Sequence, residues 1–130
     1  MIRATGRLMH PVLVFFTMVA CQQDPVPAGD HTLTLLYLPD CPNAAMMRTN
    51  ADSVLASQHD EHLQLVIVDL NTLPVNDRRL GWGSPTLLLG DSDLFDTEPV
   101  PGAGISCRQW DPVPSSSDIA RKIKAREAAP

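Results

Sequence analysis

The chain contains three cysteines, Cys21, Cys41 and Cys107, and these are the side chains best suited to chemistry. A thiol acts as a nucleophile through its thiolate. Its pKa falls from about 8.5 to between about 3.5 and 7.5 at a helix N-terminus, where unpaired N–H groups and the macrodipole favour negative charge. Cys41 lies in Pro39-Asp40-Cys41-Pro42, and Pro42 suits the first position of a helix, where a missing N–H costs nothing. Asp40 opposes activation if its carboxylate lies close, because a like charge raises a thiol pKa. The bland alternative for Cys41 is a buried, inert cysteine at the helix start. Cys107 is either a resolving thiol, attacking a mixed disulfide formed at Cys41, or a small core residue. Other candidates are weaker. His59 and His62 form H-x-x-H with no cysteine beside it, a poor zinc signal. Met46 and Met47 read as packing residues rather than soft-metal ligands. Gly102-Ala103-Gly104 opens no helix and is no dinucleotide fingerprint, and there is no G-x-S-x-G elbow. Neither a metal nor a cofactor is called for.

The N-terminus bears on the cysteine count. Arg3 and Arg7 are the only charges in residues 1–20, and an apolar run extends from Pro11 to Ala20. Ten residues are too few to cross a bilayer of about 30 Å as a helix, but they suit the apolar region of a signal peptide. The run ends in Met18-Val19-Ala20-Cys21, which resembles a lipobox, the bacterial site of lipoprotein cleavage and acylation, with Met18 where leucine is usual. The alternative is an ordinary signal peptide or anchor with an incidental cysteine. On the lipobox reading the mature chain starts at Cys21 and is exported to the bacterial cell envelope, anchored to a membrane through lipid. Lipidation of Cys21 leaves Cys41 and Cys107, which can form one intramolecular disulfide in that compartment. With Arg3 and Arg7 removed, 8 of the 10 basic residues face 15 acidic ones, a net −7. A chain of that charge with no basic block is not built to neutralise phosphates, so nucleic acid is excluded as a partner.

The elements that must position these residues fit one domain within 130 residues. Residues 21–30 read as a lipidated N-terminus and polar tether, and 31–127 as the domain, with 128–130 a tail. Residues 32–38 (TLTLLYL) are β-rich and almost continuously apolar, as in a strand buried on both faces. From Asn43 to about Ser57, Ala44, Met47, Ala51, Val54 and Leu55 recur at helical spacing. Residues 63–69 (LQLVIVD) form the second strand, so strand, helix and strand make a right-handed βαβ unit. Residues 70–83 are turn-rich, with room for a short helix starting near Pro74. Residues 86–89 (TLLL) are a third strand, followed by a turn at 90–93 into Leu94-Phe95. Residues 105–110 (ISCRQW) are expected as a fourth strand. In an antiparallel hairpin it would return Cys107 to Pro85, with Arg108 on the opposite face. Residues 115–118 (SSSD) suit the N-cap of a last helix to about Glu127, with Ile119, Ala120 and Ile123 inward and its cations on a solvated face.

Three short motifs carry a family resemblance: Cys41-Pro42-Asn43, Gly83-Ser84-Pro85-Thr86 and Ser106-Cys107-Arg108. In this order, on a β-α-β then β-β-α succession, they resemble the thioredoxin fold. Within it the chain is similar to small bacterial thioredoxin-like proteins, some labelled alkylmercury-lyase-like. The likeness spans about residues 32–126. It implies an α/β domain with a central mixed four-stranded sheet and flanking helices. It also implies a cis-proline at Pro85 beside the active cysteine, with Ser84 and Thr86 contacting substrate and Ser84 offering a free backbone edge to an extended partner. The sequence departs from thioredoxins proper in carrying Ala44 where a second cysteine would complete Cys-x-x-Cys, and in lacking a tryptophan before the motif. Three functions follow. One is thiol–disulfide exchange with a protein or small-molecule thiol, in which Cys41 attacks, Cys107 resolves and Cys41 is the more reactive toward thiol reagents. A second is a non-catalytic binding lipoprotein on the same fold. The third is a soft-metal or organomercurial thiol site, suggested by the family label, with Asp40 as the nearest proton donor.

Overall fold

The computed structural model describes residues 31–57 and 62–130, an α/β arrangement of a mixed four-stranded sheet and two helices. Residues 1–30, where a signal peptide, Cys21 lipidation and a tether are expected, and His59 lie outside the described residues. Strand β1 (Thr32–Tyr37) leads to helix α1 (Ala44–Ser57) and strand β2 (Gln64–Asp69). Two 3-10 turns, Leu70–Thr72 and Arg78–Trp82, precede β3 (Thr86–Leu89), the short β4 (Ser92–Asp93) and helix α2 (Ser116–Glu127). The sheet order is β2-β1-β3-β4; β1 is parallel to β2 and antiparallel to β3, and β3 is antiparallel to β4.

The apolar run in β1 is continuous because both of its faces are covered. Leu33 and Leu35 point to a cluster holding Met47, Ala51 and Val54 of α1 and Ile119 and Ile123 of α2. Leu36 points the other way, among Leu70, Leu80, Trp82 and Leu88. Each fully buried leucine contributes about 1.5–3 kcal/mol relative to exposure. Both helices thus share one sheet face, and the 3-10 turns close the other. As an edge strand, β2 leaves Val66 and Ile67 exposed at 44% and 38% on its two faces, although its sequence is as apolar as that of β1.

Helix α2 begins at a capping box. The Asp118 N–H donates to Ser115 Oγ (3.2 Å) and the Ser115 N–H to the Asp118 carboxylate (3.0 Å). Its cations are not merely solvated. Lys122 and Arg126 both reach Asp96, at 2.9 and 2.7 Å, and tie the helix to the turn after β4.

Three expectations are corrected. The fourth strand is Ser92–Asp93, not residues 105–110, because the Gly90-Asp91 turn returns the chain directly onto Leu88 and Leu89. Residues 105–110 instead make one isolated parallel bridge, Ser84 to Cys107, so no antiparallel hairpin brings Cys107 to Pro85. No helix starts near Pro74; the second 3-10 turn starts at Arg78, where Asp77 caps it by accepting from the Arg79 N–H at 2.9 Å.

Candidate functional site

Cys41 is placed by two tight turns between β1 and α1. Its N–H donates to the Leu38 carbonyl and its carbonyl accepts from the Ala44 N–H, both at 3.2 Å. Asn43 takes φ 71°, and its carbonyl accepts the bond that opens the helix, from the Met47 N–H at 2.9 Å. Pro42 therefore belongs to the turn, and Cys41 lies just ahead of the first helical turn rather than within it. Only 5% of Cys41 is accessible, since it packs among Leu36, Leu38, Ala44, Leu70, Leu80, Trp82 and Leu88. The turn carrying Leu80 and Trp82 is anchored electrostatically. Hydrogen bonds from the Arg79 side chain and N–H hold the Asp77 carboxyl down to about 2.

Cys107 approaches from a different part of the chain and is bonded to Cys41 as a disulfide, with Cα atoms 5.4 Å apart. Unlike Cys41 it is exposed. The segment carrying it is fixed by contacts that do not involve sulfur. The Ser84 N–H donates to the Ser106 carbonyl at 2.9 Å, and the Arg108 N–H donates to the Ser84 carbonyl at 2.7 Å. The Trp110 indole N–H donates to the Pro85 carbonyl at 2.8 Å. Arg108 reaches inward to the Asp93 carboxylate at 2.8 Å and the Thr86 hydroxyl at 3.2 Å, and its guanidinium lies 4.0 Å from the Trp110 ring centre. The Asp93 side chain is fully buried and also accepts from the Phe95 and Thr97 N–H groups at 3.1 Å each. Gly83 makes room for the segment: it has φ 72°, and a side chain there would meet Ser106 Oγ at 2.9 Å.

The structure thus brings together Cys41, Cys107, Ser84, Pro85 and Thr86, and the Ser84–Pro85 peptide is cis, as is Asp111–Pro112. It does not leave Ser84 and Thr86 free for a partner. Both are fully buried. Ser84 Oγ accepts from the Leu38 N–H at 2.7 Å, and Thr86 donates to the Gly83 carbonyl at 2.9 Å. The backbone edge expected at Ser84 is occupied by the protein's own Ser106 and Arg108, because that N–H and carbonyl, once buried, need partners. Arg108 was expected on an uninvolved face, yet it is the anchor of the Cys107 segment. Asp93 and Trp110 were not singled out for this role. Asp93 sits in what reads as a polar turn, and no local signal links it to an arginine 15 residues away.

Among the described residues, no group of three or more His, Cys, Asp or Glu could hold a metal ion, and no helix is long and apolar enough to cross a membrane. In comparisons with known proteins, the chain matches no family model, and no curated protein or solved structure is significantly similar to it.

Proposed function

We propose that this chain is a membrane-tethered, thioredoxin-like lipoprotein that exchanges thiols and disulfides through Cys41 and Cys107. The observation that carries the reading is the disulfide between a buried cysteine ahead of α1 and an exposed cysteine on a separately anchored segment. A pair whose backbones are held within bonding distance by other contacts can open and close without refolding, which thiol–disulfide exchange requires. The cis Ser84–Pro85 peptide next to this pair and the parallel–antiparallel sheet are what the thioredoxin resemblance implies. The partner is a protein or small-molecule thiol or disulfide. The tether is proposed from Met18-Val19-Ala20-Cys21, with lipid on Cys21 holding the domain at a bacterial membrane.

The test is a redox titration of the native full chain in glutathione buffers of stepped ratio, with thiols counted by alkylation and mass. The Cys41–Cys107 pair should open and close reversibly, and reduced protein should reduce a disulfide-bonded substrate such as insulin. Cys41→Ala and Cys107→Ala should each abolish that activity. A disulfide that stays closed at every ratio without denaturant would sink the proposal. A second reading, a binding lipoprotein with a permanent disulfide, draws support from the occupied backbone of Ser84, and that same resistant bond is its expected result.

A further inference from the structure

We infer that Cys107, rather than Cys41, is the sulfur that a partner thiol or disulfide touches, and that Cys41 closes the pair from inside. The inference rests on the thiol–disulfide reading above and reverses the order of roles that the chain suggests. An attacking thiolate must approach a disulfide in line, from behind the sulfur it attacks and opposite the sulfur that leaves. Cys41 is packed in a buried cluster with Leu38, Ala44, Leu80 and Trp82 and is 5% accessible, which leaves little room for such an approach. Cys107 lies on an exposed stretch, with Ser106 and Gln109 exposed and Ile105 exposed at 51%. Access therefore selects Cys107.

Chemically, a partner thiolate RS⁻ bonds to Cys107 Sγ while the Cys41–Cys107 bond breaks and its electron pair leaves on Cys41 as a thiolate. A second RS⁻ attacking the R sulfur then releases RSSR and Cys107 as a thiolate, so two partner thiols are oxidised and the protein pair is reduced. Run backward, Cys107 thiolate attacks a partner disulfide, and Cys41 thiolate then attacks Cys107 Sγ and expels the partner's second thiol. Both directions pass through the same mixed disulfide on Cys107. The leaving position also suits Cys41. It adjoins the start of α1, where the first backbone N–H groups lack helical partners and favour negative charge. Cys41 returns rapidly because Ser84, Arg108 and Trp110 hold the Cys107 segment whether or not the sulfurs are joined. Since the Ser84 backbone is taken, a partner reaches Cys107 without adding a strand there. Small thiols and cysteines on flexible segments are the fitting class.

The test uses the oxidised full chain with reduced glutathione, quenched at short times by acid and alkylated, with adducts assigned by peptide mass. Glutathione should appear on Cys107 at least tenfold more than on Cys41, with the alkyl group on Cys41. In parallel, with oxidised glutathione as the disulfide, Cys41→Ala should accumulate a glutathione adduct on Cys107, releasing one glutathione thiol, at least tenfold faster than Cys107→Ala does on Cys41. Apolar alanine replaces Cys41 so that its packing site stays apolar, and the wild-type mapping does not depend on either variant. Glutathione mainly on Cys41 overturns this assignment while leaving the exchange activity in place. No adduct on either, with the disulfide intact, removes both the activity and the assignment.

Discussion

At the scale of single residues, the site depends on a charge that is taken out of water. Asp93 is fully buried, and Arg108, with 14% of its side chain accessible, is the cation paired with it. A buried ion pair contributes little net stability over an apolar pair, but removing one partner leaves the other charge uncompensated, at a cost of about 3–5 kcal/mol. Two N–H donors remain on Asp93 without Arg108, which places the loss near the lower end. Arg108→Gln should therefore lower unfolding free energy by about 3 kcal/mol in urea. Arg108→Lys should recover less than half of that loss, because an ammonium cannot span Asp93, Thr86 and Thr97 at once as the guanidinium fork does. A loss below about 1 kcal/mol would show that Asp93 finds water or another partner, as an exposed pair does. The same substitution should slow reclosure of the Cys41–Cys107 pair, since it removes the side-chain anchor of the segment that presents Cys107 and leaves only its Ser84 and Trp110 contacts.

At the scale of elements, short capped turns do work usually assigned to helices. The 3-10 turn Arg78–Trp82 buries Leu80 and Trp82 against Cys41, and Asp77 starts it. The Asp77 carboxyl is held down to about 2 against an ordinary 3.8, chiefly by the Arg79 side chain. A carboxyl whose folded pKa is depressed stabilises the fold above its unfolded pKa, and that contribution disappears as pH falls through the folded value. Asp77→Asn keeps an oxygen to cap the turn but removes the charge. The variant should be less stable than wild type at pH 6, with the difference shrinking between about pH 4 and 2; a constant difference would refute the electrostatic account. At α2, Ser115→Ala should cost about 1 kcal/mol through loss of the capping box. Elements of this kind also mark how far the sequence could be read. β1, α1, β2, β3 and α2 were legible because strand and helix periodicities are local, and Ser115 announced its helix. Asp77 and the Arg78–Trp82 turn were not, since a single 3-10 turn has too few residues to show a period. Cys41, Cys107 and Ser84-Pro85 were legible as a set of motifs. The occupation of Ser84 was not, because a parallel bridge 23 residues away in sequence leaves no trace in either segment.

At the scale of the whole molecule, the disulfide links the β1–α1 turn to the segment before α2 across a separation of 66 residues. Closing a loop of that length in the unfolded chain is worth about 4 kcal/mol on the chain-entropy account. A domain this small has total stability of only about 5–15 kcal/mol, so reduction removes a large part of it. The fold should nonetheless survive, because the contacts that seat Cys107 are independent of sulfur: two backbone bonds at Ser84, the Trp110 indole on Pro85 and the Arg108–Asp93 pair. Survival is what separates a working pair from a staple. Protein held reduced by excess phosphine under native conditions should keep its far-ultraviolet dichroism and unfold cooperatively, with the urea midpoint lowered to match about 4 kcal/mol. Amide exchange at Ser84 and Arg108 should remain protected after reduction, since each N–H donates to a backbone carbonyl across the bridge. If these two amides exchange freely once the sulfurs part, the bond itself seats the segment, Cys107 drifts from Cys41 on every opening, and rapid internal closure by Cys41 is lost.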